Sequence, residues 1–354
     1  MNKRHRKALI LTAKLVIAAG LLVWLLSKVR LHDYPVKMED GTQRMAPGFL
    51  TIVAGIDWPI LALGALGFLI SLIIIALRLW MLLRIQRIRI PLWESIRLTF
   101  LGQFFNNVVP GMVGGDLVKA YYIGKHTPKK AAVLVSVFVD RLMGLAELTL
   151  LAAAMLGVVL LFDLEDWRKV RLAGWCVLLA FVLTAGLLVF LLSRRFRRAL
   201  HLQRLYQKLP MAHHIAAAGD AALLYRKRIG VLFRAVAMTI GAHAFWVGGH
   251  ALIGLSVSLS VPWYSYFVYV PLIYILGAVP LTPGGVGVVE YFFFLFFAQS
   301  GGVAQLEAEQ AAFALALLSR FMRIFWGLPG AIVAVRGAQL PKTETMQAEL
   351  GIAD

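Results

Sequence analysis

The chain has 354 residues, of which 60% are hydrophobic and only 15% are charged, and its mean hydropathy is +0.78. A soluble protein could not bury that much apolar surface, so the composition excludes a soluble class and predicts an integral membrane protein. The formal net charge of +18 lies mostly beside apolar segments, where membrane topology and anionic lipid explain it better than nucleic acid does.

Six apolar stretches are long enough for a transmembrane helix, which needs ~20 residues. We expect these helices at 8–27, 59–84, 131–161, 171–193, 229–255 and 306–337. The first follows a basic N-terminus, as a signal peptide would, but it is too long and no small-residue cleavage site follows it. We therefore expect it to remain as an uncleaved first transmembrane helix.

Two further apolar stretches, 96–124 and 263–298, each contain a helix-breaking motif. The motifs share prolines before a Gly-Gly pair, Pro110 before Gly114-Gly115 and Pro280 with Pro283 before Gly284-Gly285, at a common offset of 170 residues. Proline and paired glycine break helices, and each half, ~18–24 Å long, is too short for a ~30 Å hydrocarbon core. We therefore predict two re-entrant helical hairpins.

Lysine and arginine predict the orientation, because cytoplasmic connections carry an excess of both. The N-terminus and both flanks of the first hairpin are basic, and Arg336 and Lys342 follow the last predicted span, whereas the connections 28–58, 163–171 and 256–262 are mixed or uncharged. The first hairpin then enters from the cytoplasm and the second from outside, which is typical of inverted transporter repeats. We predict one polytopic domain over 1–341, with repeats at roughly 59–161 and 229–337 and both termini cytoplasmic.

Two polar segments lie outside the apolar stretches. Segment 194–228 carries nine lysines and arginines against Asp220 alone. Two interpretations stay open for it: a cytoplasmic loop that sets topology, or an interfacial amphipathic helix on an anionic leaflet. The tail over 342–354 is polar, and we predict that it is disordered.

Each Gly-Gly pair starts a new helix near mid-membrane, and a helix N-terminus offers unsatisfied N–H groups and a partial positive charge to an anion. At the first break, we expect Asp116 to cap the helix. At the second break, over Pro283, Gly284, Gly285 and Gly287, the sequence indicates no carboxylate cap. The second helix end is therefore predicted to be the better phosphate cradle.

Three arginines, Arg141, Arg320 and Arg323, lie inside predicted spans, where a charge faces the protein interior by default. Their forked guanidinium groups suit phosphate, but they could equally pair with Asp116, Asp140, Glu147 or Glu290 and hold helices together. The other candidate substrate-binding residues flank the breaks: Asn106, Asn107, Gly114, Gly115, Asp116, Lys119, Thr282 and Glu290. The asparagines and Thr282 either satisfy freed backbone groups or bind a polar headgroup.

Several chemical motifs are absent from the sequence, namely the Walker A pattern, H-E-x-x-H and G-x-S-x-G. His243 and His250 share a helix face without a nearby third ligand, so we interpret them as packing or cavity residues. The single cysteine, Cys176, excludes an intramolecular disulfide. We expect no metal and no cofactor.

Three motifs carry a resemblance to a known family: the run from Phe104 to Asp116, Asp140-Arg141-x-x-Gly144, and Pro280-x-x-Pro283-Gly-Gly285-x-Gly287-x-x-Glu290. Over roughly 8–338 the chain resembles the flippase-like family, the transmembrane region of lysylphosphatidylglycerol synthase and the N-terminal half of the multiple peptide resistance factor. The resemblance implies a bacterial or archaeal inner-membrane protein that handles polar lipids, either anionic phospholipids or polyprenyl-phosphate glycolipids. Only 17 residues follow Gly337, so we expect no aminoacyl-transferase domain and no synthesis of lysylphosphatidylglycerol.

The leading functional hypothesis is a lipid flippase that does not hydrolyse nucleotides, with the headgroup between the hairpins near Gly284–Gly287 and the three arginines. The first alternative is an integral membrane lipid-linked transferase that uses Asp116 or Glu290, although the sequence has no D-x-D metal pair in a loop. The second alternative is a non-transporting subunit that partners a separate soluble lipid-modifying enzyme. Nucleic acid is not expected as a partner.

Overall fold

The computed structural model describes residues 3–37, 43–108, 114–164, 167–192, 229–278, 281–298 and 305–336. In this part of the chain the protein is an all-α membrane fold with one small β-hairpin. The helices are α1 (Lys3–Ser27), α2 (Phe49–Ala54), α3 (Trp58–Ile85), α4 (Leu92–Val108), α5 (Gly114–Gly124), α6 (Lys130–Leu161), α7 (Trp167–Leu192), α8 (Ile229–Ser256), α9 (Trp263–Gly277), α10 (Val288–Ala298), α11 (Gln305–Phe325) and α12 (Leu328–Arg336). The predictions for 194–228 and 342–354 fall outside the described residues.

Among the residues that the structure describes, four segments are long and apolar enough to cross a membrane: Trp58–Ile85, Lys130–Leu161, Phe233–Ser256 and Ala308–Val335. They coincide with four of the six predicted spans. The other two predicted spans are helical as α1 and α7, and their described apolar parts are shorter, at Thr12–Ser27 and Arg171–Gly186. A membrane crossing by α1 and α7 therefore stays a prediction.

The last predicted span is not one continuous helix. α11 ends at Phe325 and α12 begins at Leu328, with a turn closed by a hydrogen bond of 2.9 Å from the Gly330 amide to the Gly327 carbonyl. Pro329 explains the break, because its ring clashes with the carbonyl four residues earlier and it has no N–H to donate. The prediction of an unbroken helix over 306–337 is corrected accordingly.

Both predicted hairpins form antiparallel helix pairs. In α4 and α5, a β-carbon built on Gly115 would overlap the Gly102 carbonyl oxygen, so glycine permits the close approach of the two backbones. In α9 and α10, Tyr274 contacts Phe293 with ring centroids 6.1 Å apart, and Tyr269 stacks on Phe296 at 5.3 Å. The return of each hairpin to its own side of the membrane stays a prediction.

The connection between α1 and α3 contains a β-hairpin that the sequence did not indicate. Strand β1 (Tyr34–Lys37) pairs antiparallel with β2 (Gln43–Ala46). Asp33, just before β1, accepts hydrogen bonds from the Gly48 amide at 2.8 Å and the Thr51 hydroxyl at 2.6 Å. The Thr51 bond, followed by the Gly48 bond, lowers the pKa of the Asp33 carboxyl below its ordinary value of 3.8. These hydrogen bonds tie the start of β1 to the start of α2.

An aromatic cluster joins α3, α8, α9 and α10. The buried ring of His250 lies 4.7 Å from Phe68, 4.8 Å from Trp246 and 5.7 Å from Phe293, measured between ring centroids. Its Nδ1 contacts the Trp246 carbonyl at 2.8 Å. This agrees with the interpretation of His250 as a packing residue. Phe68 and Trp246 of the same cluster line a cavity.

Candidate functional site

The two helix breaks lie against each other, although 170 residues separate their motifs. A β-carbon built on Gly284 would lie 3.6 Å from the carbonyl oxygens of both Asn106 and Asn107. The side-chain amide of Asn107 also donates a 3.0 Å hydrogen bond to the Arg323 carbonyl on α11. The end of α4, the turn before α10 and the end of α11 therefore converge.

The second break is held by an ion pair between Arg320 and Glu290. Arg320 also donates to the Gly284 carbonyl at 3.2 Å and to the Gly285 carbonyl at 3.1 Å. Gly284, Gly285 and Gly287 all have positive φ, at 60°, 68° and 81°, which glycine adopts without strain. Arg320 is thus occupied in holding the turn, as the helix-pairing interpretation predicted.

The prediction of an uncapped second helix end is wrong. The Gly287 amide donates a 2.8 Å hydrogen bond to the Glu290 carboxylate, three residues later. This is the reciprocal half of a capping box, in which an acidic side chain at the third helical position reaches back to the preceding amide. The anion expected at this end is already supplied by the chain itself. Pro283 begins the adjoining 3₁₀ turn, and Thr282 beside it is buried.

The first break is capped by a different residue from the one predicted. The Gly115 amide donates a 3.0 Å hydrogen bond to the side-chain oxygen of Asn106, which lies on the facing helix α4. Asp116 instead forms ion pairs with Lys119 and Arg141, both at 3.2 Å. The expected Asp116 cap is therefore corrected, because the close approach of α5 to α4 places the asparagine amide over the helix end.

A cavity of about 360 Å³ lies beside these breaks, which is within the usual range of ligand pockets, ~300–1,000 Å³. Its charged lining residues are Arg78, Asp116, Lys119, Asp140, Arg141 and Arg323. Its aromatic lining residues are Phe68, Trp246, Tyr274 and Trp326. The four cationic groups outnumber the two carboxylates, so the lining carries a formal positive excess that suits an anion.

Arg78 is a cavity residue that the sequence analysis missed. Its Nε donates to the Asp140 carboxylate at 2.8 Å, and its other nitrogens donate to the Asp140 carbonyl at 2.9 Å and to the Thr239 hydroxyl at 2.8 Å. These contacts join α3, α6 and α8. The sequence could have indicated this residue, because Arg78 is the one charged residue in the otherwise apolar sequence 58–83 and a charge inside a membrane span commonly has a function.

Arg141 on α6 and Arg323 on α11 both line the cavity. The Arg141 side chain is 50% exposed while it pairs with Asp116, so it remains accessible from the cavity. The Arg323 guanidinium carbon lies 5.3 Å from the centroid of the Tyr274 ring. Its buried Nη1 makes no hydrogen bond to the part of the chain that the structure describes. The Nη1 group of Arg323 is thus a hydrogen-bond donor at the cavity wall without an acceptor among the described residues.

The structure divides the predicted site residues into two groups. The cavity lining includes Asn106, Asp116, Lys119, Arg141 and Arg323. The remaining predictions lie in or beside the two breaks and are not among the lining residues: Asn107, Gly114, Gly115, Thr282, Pro283, Gly284, Gly285, Gly287, Glu290 and Arg320. Gln103 and His243 also line the cavity, as does Asp140.

Comparison with known proteins places the chain beside a protein family and a membrane protein of an archaeon. A family model described as "Lysylphosphatidylglycerol synthase TM region" matches residues 11–330, which include both breaks and every residue of the cavity lining. A protein of Methanothermobacter thermautotrophicus described as a UPF0104 membrane protein is 23% identical to this chain. That alignment covers 84% of this chain and 87% of the relative.

Proposed function

Since the chain belongs to the lysylphosphatidylglycerol synthase transmembrane-region family, we propose that this multi-pass membrane protein moves a lipid with an anionic headgroup between leaflets. Transport proceeds without nucleotide hydrolysis. Broken helices that meet near the middle of a membrane are the usual location of a transporter's substrate site. The lipids are anionic phospholipids or polyprenyl-phosphate glycolipids of a bacterial or archaeal cytoplasmic membrane.

The observation that carries the proposal is the positive excess of the cavity lining. A phosphate in the cavity would accept hydrogen bonds from Arg141, from Lys119 and from the Nη1 group of Arg323. Asp116, which now pairs with Lys119 and Arg141, gives the cations an internal partner while the site is empty. A phosphate that binds replaces Asp116 in part as the partner of Lys119 and Arg141. The two cations are therefore paired both before and after the phosphate binds.

Apolar lining residues on two helices suit the lipid tails. Leu72 and Ile75 on α3 and Leu145 and Leu148 on α6 line the same cavity as the charged groups. The headgroup can therefore occupy the polar end while its tails stay against apolar side chains. Rocking of one repeat against the other, about the contact between the two breaks, would expose the site to each leaflet in turn.

A translocation assay in proteoliposomes tests the proposal. Fluorescently labelled phosphatidylglycerol, phosphatidylcholine and a polyprenyl-phosphate sugar are compared, with dithionite quenching of the outer leaflet as the readout. We expect faster movement of the anionic probes, and a loss of about tenfold or more in Arg323→Gln, because a hydrogen bond to a charged group is worth ~1.5–3 kcal/mol.

Arg234→Gln is the matched control, since Arg234 is an exposed arginine on α8 outside the cavity lining and its replacement removes the same charge. It should leave the rate unchanged. Equal rates in liposomes with and without protein would overturn the proposal. Equal losses in Arg323→Gln and Arg234→Gln would overturn the assignment of the headgroup to this cavity.

A further inference from the structure

Glu147 is a buried carboxyl group that the lipid site does not use. It is 7% exposed, and neither of its side-chain oxygens makes a hydrogen bond within the described ranges of the chain. It lies on α6 seven residues after Asp140, which is about two helical turns, so both side chains lie on one face. Its neighbours Leu145 and Leu148 line the cavity.

The electrostatic neighbours of Glu147 are Arg78 on α3, Asp140 on its own helix and Thr239 on α8. His243, also on α8, interacts with Arg78 as well, and its buried Nδ1 makes no hydrogen bond to the described residues. The Thr239 hydroxyl donates its proton to the Ala235 carbonyl at 2.8 Å and accepts from Arg78. Both of these contacts of the Thr239 hydroxyl are made away from the Glu147 oxygens.

The helices α5, α7 and α9 also pack on α6, and the groups that act on Glu147 do not come from them. On α5, Asp116 and Lys119 face Arg141 and the cavity. On α9, the Tyr274 hydroxyl lies 3.3 Å from His250, and its ring lies beside Arg323. On α7, Cys176 packs against the apolar core. Arg78 is the cation that acts on Glu147, and Asp140 already holds it.

A carboxylate that is buried without donors is costly to keep ionised, and ionisable groups inside a membrane protein commonly belong to proton pathways. We propose that Glu147 is a proton-binding site that couples proton movement to lipid movement. The proposal rests on the proposed function and supplies its energy source. With Glu147 protonated, Arg78 stays with Asp140, and the cavity lining keeps the positive excess that holds an anionic headgroup.

Deprotonation of Glu147 would release the lipid headgroup from the cavity. When the O–H bond of Glu147 breaks, its proton passes to water in the cavity and the new carboxylate competes with Asp140 for Arg78. Asp140 then faces the cavity without its partner, and the added negative charge expels the headgroup. Proton and anionic lipid therefore bind together and leave together, so lipid moves from the more acidic side of the membrane to the more alkaline side.

The test uses full-length protein in liposomes with labelled phosphatidylglycerol, an imposed pH gradient and the membrane voltage clamped by potassium and valinomycin. Wild type should move lipid several-fold faster when the labelled side is acidic, and a lumenal pH dye should report proton entry with it. Glu147→Gln, which mimics the protonated form, should abolish both the gradient dependence and the proton entry. Glu94→Gln should retain both, because Glu94 pairs with Arg97 outside the cavity lining.

The possible outcomes separate the two proposals. Lipid movement that ignores the gradient in wild type, or that keeps its gradient dependence in Glu147→Gln, overturns proton coupling and leaves the transport proposal standing. Absence of any lipid movement in wild type overturns the transport proposal itself. If Glu147→Gln fails to fold, Glu147→Asp decides: it retains a titratable carboxyl, so it should still admit protons with lipid, and a folded Glu147→Asp without proton entry contradicts the proposal.

Discussion

The side-chain amide of Asn107 donates a 3.0 Å hydrogen bond to the carbonyl of Arg323, a residue that lies 216 positions later in the chain. This bond joins the last turn of α4, before the first break, to the last turn of α11. It holds the Arg323 backbone at the cavity wall, where the guanidinium group of the same residue faces Tyr274. Helix α4 thereby positions a cation of α11.

We expect Asn107→Leu and Asn107→Asp to weaken lipid movement, because neither an alkyl group nor a carboxylate can donate to the Arg323 carbonyl. The loss of one such hydrogen bond should lower the stability by ~1 kcal/mol. Thermal unfolding in detergent and the liposome assay measure the two effects. A wild-type transport rate in Asn107→Asp would show that this bond does not position Arg323.

Substitution of Gly115 tests the close packing of the first hairpin. In Gly115→Ala the new methyl group would clash with the Gly102 carbonyl oxygen and would lie 2.7 Å from the side-chain oxygen of Asn106. Overpacking of this kind costs ~1–3 kcal/mol, so the apparent melting temperature should fall. Gly157→Ala on α6 is the control, since no atom lies within 4 Å of the position that its β-carbon would take, and it should unfold no earlier than wild type.

Removal of either member of the Glu290–Arg320 pair should destabilise the second break. Both side chains are largely buried, at 3% and 14% exposure, and an unpaired buried charge costs ~3–5 kcal/mol. We expect Glu290→Gln and Arg320→Met to melt well below wild type. The double variant should lose less stability than the sum of the two single losses, because no unpaired charge remains, and strict additivity would contradict the pairing.

The Asp33 carboxyl should make the α1–α3 connection sensitive to acid. Its pKa is lowered in the folded protein, so the stabilisation is fully present above the unfolded pKa of about 4 and is lost as the pH falls through the lower folded value. The Gly48 amide, which donates to Asp33, should report this titration in its NMR chemical shift. Asp33→Asn should remove the titration from the Gly48 signal, and an unchanged titration would assign it to another group.

Single cysteines can test the orientation of the hairpins in a Cys176→Ser background. Arg89 and His126 are exposed and flank the first hairpin, so Arg89→Cys and His126→Cys should react with an impermeant thiol reagent from the same, cytoplasmic side. Exposed Ser260 flanks the second hairpin, and Ser260→Cys should react from the opposite side. Labelling of Arg89→Cys and His126→Cys from opposite sides would show that 96–124 crosses the membrane.

The sequence by itself determined the fold class, four of the spans and the positions of both helix breaks. Apolar runs of ~20 residues, prolines and glycine pairs act locally, through helix length and backbone geometry, and so they can be read without the fold. A lone charge in an apolar run is equally local, and Arg78 could have been found on that ground. The break at Gly327 was likewise visible in Pro329.

Only the tertiary structure decided the partner of each polar group. Asn106 rather than Asp116 caps the first helix end, Glu290 caps the second, and Arg320 is committed to the second break while Arg323 faces the cavity. Electrostatic and hydrogen-bonding partners depend on distances of ~3–4 Å between segments far apart in the chain. The packing of α4, α9 and α11 sets those distances, and sequence spacing does not encode them.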